Sequence, residues 1–305
     1  MKLTYHEGRN FGDALNPLVF HALFPGMFDE DDTEQFIGIG SIIGLKRGND
    51  RTRRRIYFSS GFAAGDPGTY GVLPDLGPND DVVCVRGPLT AKALGLPEGK
   101  AIADGAILVR HLFQLRPTPT TIPFAYMPHV GSFHFYRDWE GLLSEEGIEL
   151  IDPADDPMEV MQRIQRTGVL LAEAMHGAII ADAIGIPWVP VVGYGTINTF
   201  KWQDFATSMG LSYVPQRIPT LFDRAFIDRM VHEKTSSMGL GLLRRPGSAI
   251  YAAYQENVVR ARMKSALRQL RKALPQMSDR SILDLRIEAL LEKAEYVRRT
   301  YAARS

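Results

Sequence analysis

The sequence predicts an α/β fold in which two doubly wound halves face each other across a cleft, followed by a helical C-terminal extension. Three observations lead there. Short apolar runs bounded by Gly, Pro and Asp alternate with helical patterns along residues 1–215, the signature of βα units around parallel sheets. A connection over Arg110–Thr121, whose Pro and Thr content suits a link between domains, interrupts that alternation and puts a boundary near residue 115. Beyond about residue 220 strand signals fade and helical periodicity takes over. The expected units are residues 1–115, residues 116–215 and a basic helical extension over 216–305.

In the first half the expected strands are Lys2–Tyr5, Phe36–Ile39, Ile56–Ser59 and Val82–Val85, with a fifth over Ala106–Val109. In the second half they are Ile122–Met127, Ile148–Ile151, Val169–Leu171 and Trp188–Val192. Tyr251–Leu274 and Ser281–Tyr301 read as helices separated by Pro275 and Ser278. In the last of them Ile282, Leu285, Ile287, Leu290 and Leu291 recur at helical spacing and mark a packing face. Open doubly wound folds bind ligands beyond the carboxyl ends of their strands, so residues from both halves are expected to meet at one site.

With 45% hydrophobic and 23% charged side chains in 305 residues, the chain is globular rather than disordered or fibrous. Lys plus Arg equals Asp plus Glu at 35 each, which leaves no basic excess to neutralise phosphates, so no nucleic-acid partner is expected. The single cysteine, Cys84, forms no internal disulfide and suits a reducing compartment. Met1–Glu7 lacks the apolar run of a signal peptide, and the apolar stretch Gly168–Gly193 is broken by Glu173, His176 and Asp182. It falls short of the roughly 20 uninterrupted apolar residues that span a bilayer, and a cytoplasmic protein is expected. Charge is uneven nonetheless: residues 1–215 carry 17 Lys and Arg against 26 Asp and Glu, and residues 216–305 carry 18 against 9. That basic tail either docks on the acidic body or makes a peripheral contact with a membrane surface or partner.

Several clusters carry chemistry. Asn10-Phe11-Gly12-Asp13 follows the first strand and opens a helix, where glycine admits a close ligand and free N–H groups attract an anion; the alternative is a simple helix cap by Asn10 or Asp13. Gly38-Ile39-Gly40-Ser41 is a tight strand-to-helix turn that only superficially resembles a dinucleotide fingerprint, with Ser41 placed to donate to phosphate or carboxylate. Arg86 ends an apolar strand, where a guanidinium serves either as an anion clamp or as half of a structural ion pair. His176, in Glu173-Ala174-Met175-His176-Gly177, sits at a sheet's carboxyl edge beside a helix start, placed to exchange protons or to bond backbone as a buried histidine. His129 and His134 flank Gly131 at a spacing unlike that of zinc ligands, with His129 a candidate phosphate or sugar contact.

Taken in order, these clusters resemble the polysaccharide pyruvyl transferase family, in particular its succinoglycan-type branch. The matching segments are Asn10–Asp13, Gly38–Ser41, Val85–Thr90, Ala103–Leu108, Pro128-His129, Glu173–Ala178 and Lys201–Asp204, together spanning roughly residues 3–215. The resemblance implies two Rossmann-like domains facing a cleft, similar to the GT-B glycosyltransferases. It also implies transfer of pyruvate from phosphoenolpyruvate onto two hydroxyls of one sugar as a cyclic ketal, with a lipid-linked oligosaccharide or related glycan as acceptor. No ligand spacing in the sequence indicates a metal, and no cofactor is expected beside the donor. The residues expected to carry the chemistry are His176, Arg86, Glu173 and Asp13, and those expected to bind substrate are Asn10, Gly12, Gly40, Ser41, His129, Gly177 and Lys201. Many family members carry an arginine two residues before the histidine; Ala174 stands there in this chain, so either Lys201 or another cation replaces it or the donor is bound differently. A sugar-nucleotide glycosyltransferase and a noncatalytic glycan-binding protein are the alternatives on the same architecture.

Overall fold

A computed structural model of the chain describes residues 1–43, 52–65, 72–73, 76–195, 197–237 and 244–301. Its first sheet is parallel and runs in chain order through β1 (Lys2–Thr4), β2 (Glu34–Ile37), β3 (Arg54–Ser60) and β4 (Asp80–Val85). The second contains β5 (Ile122–Met127), β6 (Glu149–Leu150), β7 (Thr167–Ala172), β8 (Trp188–Val192) and β9 (Gln216–Arg217), in the order β6-β5-β7-β8-β9 and again parallel. Apolar runs such as Val82-Val83-Cys84-Val85 are buried, as expected of parallel strands covered on both faces. Burial also pushes the Cys84 thiol up to about 12, which makes it a packing residue.

Two features depart from the expected strands. Ala106–Val109 is no strand: Gly105–Leu108 forms a 3-10 turn. Asp104 caps it, its carboxylate accepting from the Ala106 N–H at 3.0 Å. Because every residue from Ala103 to Val109 is buried, an apolar run alone could not distinguish the two. β9 was unreadable for the opposite reason, since Gln216 and Arg217 are polar and exposed and present no alternation.

The helices are α1 (Phe11–Leu23), α2 (Pro88–Ala93), α3 (Val109–Leu112), α4 (Ser132–Phe135), α5 (Trp139–Ser144), α6 (Pro157–Gln165), α7 (Met175–Ile184), α8 (Thr199–Ser208), α9 (Arg224–Ser237), α10 (Arg244–Tyr254), α11 (Arg260–Leu270) and α12 (Arg280–Tyr301). A π-helical turn, Gln255–Val259, joins α10 to α11. In α1, Phe11, Leu15, Val19 and Leu23 recur every fourth residue and are buried. Pro17 lies inside this helix and cannot donate to the Asp13 carbonyl one turn earlier. The Asn16 side-chain amide donates to that carbonyl instead, at 3.1 Å, and also to the Ile39 carbonyl at 2.9 Å. A helix interruption thus becomes a tie between α1 and the turn after β2.

The basic extension docks on the acidic body. Arg260 and Lys264 of α11 pair with Glu145, and Arg268 pairs with Glu146 at 2.7 Å. Arg280 donates to the Asp182 carbonyl at 2.7 Å. The last helix, α12, buries Leu283, Ile287, Leu290, Ala294, Val297 and Tyr301 and leaves Leu285 60% exposed, so its packing stripe is rotated from the expected one. Its end returns to the first sheet, where the Tyr301 hydroxyl donates to Asp81 at 2.7 Å and Arg298 donates to the Leu23 carbonyl at 2.7 Å. One hydrophobic core includes Leu3, Phe36 and Phe58 of the first sheet, Ala125, Leu170 and Trp188 of the second, and the buried face of α12. No helix among the described residues is long and apolar enough to cross a membrane.

Leu290 lies fully inside this shared core. Leu290→Ala is expected to lower stability by about 2–5 kcal/mol, read from the midpoint of urea unfolding, because it removes transfer energy and leaves a cavity. Leu285→Ala, on the exposed side, is expected to stay within about 0.5 kcal/mol of the parent.

Candidate functional site

Beyond the carboxyl ends of strands from both sheets lies a cavity of about 190 Å³. The first sheet contributes His6 after β1 and Gly40 and Ser41 after β2, together with the start of α1. The second contributes Met127 at the end of β5, His129 just after it, and Ala174 and His176 at the start of α7. Lys201 of α8 completes the wall. Eight residues expected to be functional therefore meet here: Asn10, Gly12, Asp13, Gly40, Ser41, His129, His176 and Lys201.

At the start of α1, Asn10 has the extended backbone of an N-cap, yet its side chain does not cap the helix. Its amide donates to the Asp13 carboxylate at 2.7 Å. Gly12 is a glycine because His176 lies against it: a Cβ there would sit 1.9 Å from Nδ1 of the imidazole. The close approach that glycine permits is therefore made by the chain's own histidine. Gly40 adopts φ of 123°, which disfavours side chains, and its carbonyl accepts from Gly61 N and Ser60 Oγ at 2.8 and 3.0 Å. That turn delivers Ser41 to the pocket.

His176 stands in the first turn of α7, its side chain 14% exposed. The carboxylate near it is Asp104, 3.7 Å from Oδ2 to Nε2, an ion-pair distance longer than a hydrogen bond. Asp104 is fully buried and lies in the matching segment Ala103–Leu108, yet it is not among the expected site residues, since the apolar run that follows it reads as a strand. The Asp-Gly pair at 104–105, a turn signal between apolar residues, could have revealed it. His129 Nδ1 accepts from Gly131 N at 3.1 Å, which leaves Nε2 as the protonated nitrogen of the neutral ring. Burial, and then the charge of Lys201, push His129 below its ordinary value of 6.5.

Three expected site residues lie off the cavity wall. Arg86 is fully buried; its Nε donates to Asp204 of α8 at 3.0 Å, one terminal nitrogen to Ser41 Oγ at 2.7 Å and the other to the Phe62 carbonyl at 3.2 Å. All three nitrogens are engaged, so the guanidinium forms a structural ion pair rather than a clamp open to ligand, and it meets the cavity only through Ser41. Its partner Asp204, which ends the matching segment Lys201–Asp204 but is not among the expected site residues, also accepts from Thr90 N and Thr90 Oγ1 at 2.9 and 2.6 Å. Glu173 does not face His176. It is buried and accepts from Ser132 Oγ at 2.6 Å, from His129 N and Gly193 N at 3.0 Å each, and from the Tyr126 hydroxyl at 3.4 Å. Burial raises its pKa and these donors oppose the shift, so its work is to hold the His129 loop against β7. Gly177 packs under Met127 one residue further into α7 and is buried.

Two outcomes follow from these pairs. Arg86→Met leaves the Asp204 carboxylate buried without its counter-charge, for an expected loss of about 3–5 kcal/mol by chemical denaturation; adding Asp204→Leu recovers part of it. For His129, a depressed folded-state pKa means that its contribution to stability is complete above pH 6.5 and is lost as the pH falls through the lower value. A proton NMR titration is expected to place its midpoint below 6.5, and His129→Asn to show a smaller drop in stability between pH 7 and pH 5.

No protein-family model matches the chain. It is 33% identical over 223 residues to the succinoglycan biosynthesis protein ExoV of Rhizobium meliloti (strain 1021), which covers 72% of this chain and 68% of that protein. With a third of the residues identical across two thirds of both chains, and a pocket assembled from the ends of both sheets, the chain belongs to the family of the succinoglycan biosynthesis protein ExoV.

Proposed function

We propose that the protein is a transferase of exopolysaccharide biosynthesis that moves pyruvate from phosphoenolpyruvate onto two hydroxyls of a sugar as a cyclic ketal. The observation that carries this reading is the convergence on one small cavity of Asp13, Ser41, His129, His176 and Lys201 with the starts of α1 and α7. Both helix starts turn a positive dipole end to the cavity, although Phe11 N and Asp13 N of α1 already donate to the Pro153 and Asn10 carbonyls, and Lys201 adds a full positive charge on a wall where Ala174 supplies none. A small trianion is the ligand such a wall attracts. Ser41 Oγ accepts from Arg86, so its own proton is free to be donated to a ligand oxygen, and Arg86 acts on the donor through that hydroxyl. The ExoV kinship supports a glycan acceptor, and the two halves are taken as a GT-B-like pair divided near residue 115.

In this reaction His176 delivers a proton to the methylene carbon of phosphoenolpyruvate while a sugar hydroxyl adds to the neighbouring carbon, its proton passing to Asp13. Phosphate then leaves with the electrons of its C–O bond, and the second hydroxyl attacks the oxocarbenium carbon to close the ketal. The two hydroxyl protons end, in sum, on the new methyl group and on the released phosphate. The acceptor is a lipid-linked oligosaccharide or related glycan at the cytoplasmic face of the membrane.

Phosphate release from phosphoenolpyruvate with a panel of acceptor glycans tests the proposal, and the product is expected to be an acid-labile ketal. His176→Ala is expected to lower turnover about 100-fold or more, far beyond its effect on folding, and Lys201→Ala to raise the KM for phosphoenolpyruvate. Consumption of a sugar nucleotide, with no phosphate released from phosphoenolpyruvate, would overturn the reading in favour of a glycosyltransferase.

A further inference from the structure

The buried pair beside the cavity has two unmet hydrogen-bonding atoms. Asp104 Oδ1 is committed to the Ala106 N–H, but Oδ2 has no hydrogen-bond partner. His176 Nε2 is likewise buried without one, and the two atoms face each other at 3.7 Å. Buried polar atoms are rarely left unmet, and closing this gap to about 2.8 Å makes a charge-assisted hydrogen bond that satisfies both. The ring is also confined from the other side. The α1 backbone at Gly12 packs so near Nδ1 that no side chain fits between them, and Gly12 is itself part of the cavity wall. Nε2 therefore points inward to Asp104, and Nδ1 lies on the side of α1 and the cavity.

We infer that Asp104 is the positioning residue of His176: it accepts the Nε2–H hydrogen bond, holds the neutral imidazole in the Nε2–H tautomer and leaves the Nδ1 lone pair as the nitrogen that meets the ligand. The use of Nδ1 in catalysis rests on the pyruvyl-transfer reading; the tautomer does not. In that reaction Nδ1 takes up the proton from solvent and passes it to the methylene carbon of the donor, while Nε2–H stays on Asp104. Asp104 exchanges no proton with substrate. Exchange of the carboxylate for an amide reverses the arrangement. In Asp104→Asn, Oδ1 still caps Ala106 while Nδ2–H donates to Nε2, and the ring is driven to the Nδ1–H form, with its lone pair turned away from the cavity.

The test is 15N NMR of the full chain, histidine-labelled and free of ligand, with His176→Gln used to assign the signal. The parent is expected to carry the proton on Nε2, and Asp104→Asn to carry it on Nδ1. In phosphate release, Asp104→Asn is expected to lower kcat at least 100-fold with the KM for phosphoenolpyruvate changed less than about threefold, a split that general loss of structure would not produce. A parent ring protonated on Nδ1, or an Asp104→Asn ring that keeps Nε2–H, would overturn the inference, and the parent spectrum alone decides if the variant does not fold. Failure of the parent to release phosphate would sink the pyruvyl-transfer reading and leave the tautomer result standing.

Discussion

The buried ion pair between Arg86 and Asp204 is the constraint on which the pocket depends. It joins the residue after β4 of the first sheet to α8 beside the second, across 118 positions of sequence, and both side chains are fully buried. Such a pair contributes little net stability compared with an apolar replacement, but breaking one side of it is costly, so it acts chiefly as a register between the parts it joins. The register is tight. Thr90 bonds the same carboxylate through its N–H and its hydroxyl, and Gly61 and Gly87 leave the space that Arg86 and Asp204 occupy. Ser41 takes one of the Arg86 hydrogens, and Lys201 lies one turn before Asp204, so two sides of the cavity are referred to the same bond.

Around that register the remaining polar groups divide into those that build the wall and those that face the ligand. Glu173 is surrounded by four donors and fixes the loop of His129. Asn16 replaces the hydrogen bond that Pro17 removes and so keeps Asp13 at the head of a regular helix. Asn10 then orients the Asp13 carboxylate. Few of these groups touch the cavity themselves, yet each sets the position of one that does. Preorganisation of this kind is what a site acting on developing charge requires.

Most of the strands were legible because parallel strands are short, apolar and bounded by turn residues: Ile122–Met127 and Trp188–Val192 were read to the residue. The residues around the cavity were legible for a related reason, since Gly, Asn, Asp and His following an apolar run mark the carboxyl end of a strand. What sequence could not convey is direction. Arg86 and Glu173 follow strands just as Ser41 and His129 do, but their side chains turn inward to partners more than 100 and more than 40 positions away, and no local pattern records such partners. Asp104 shows the converse case. Its neighbours are so uniformly apolar that a turn looked like a strand, and its relation to His176 exists only once α7 has packed on that turn.

The apolar core common to both sheets also bears on how the molecule meets its ligand. Leu3, Leu170 and Leu283 belong to one continuous interior, so swinging one half away from the other would bring oil-like surface into water. Parting the two sheets around the cavity therefore costs free energy in proportion to the apolar area exposed.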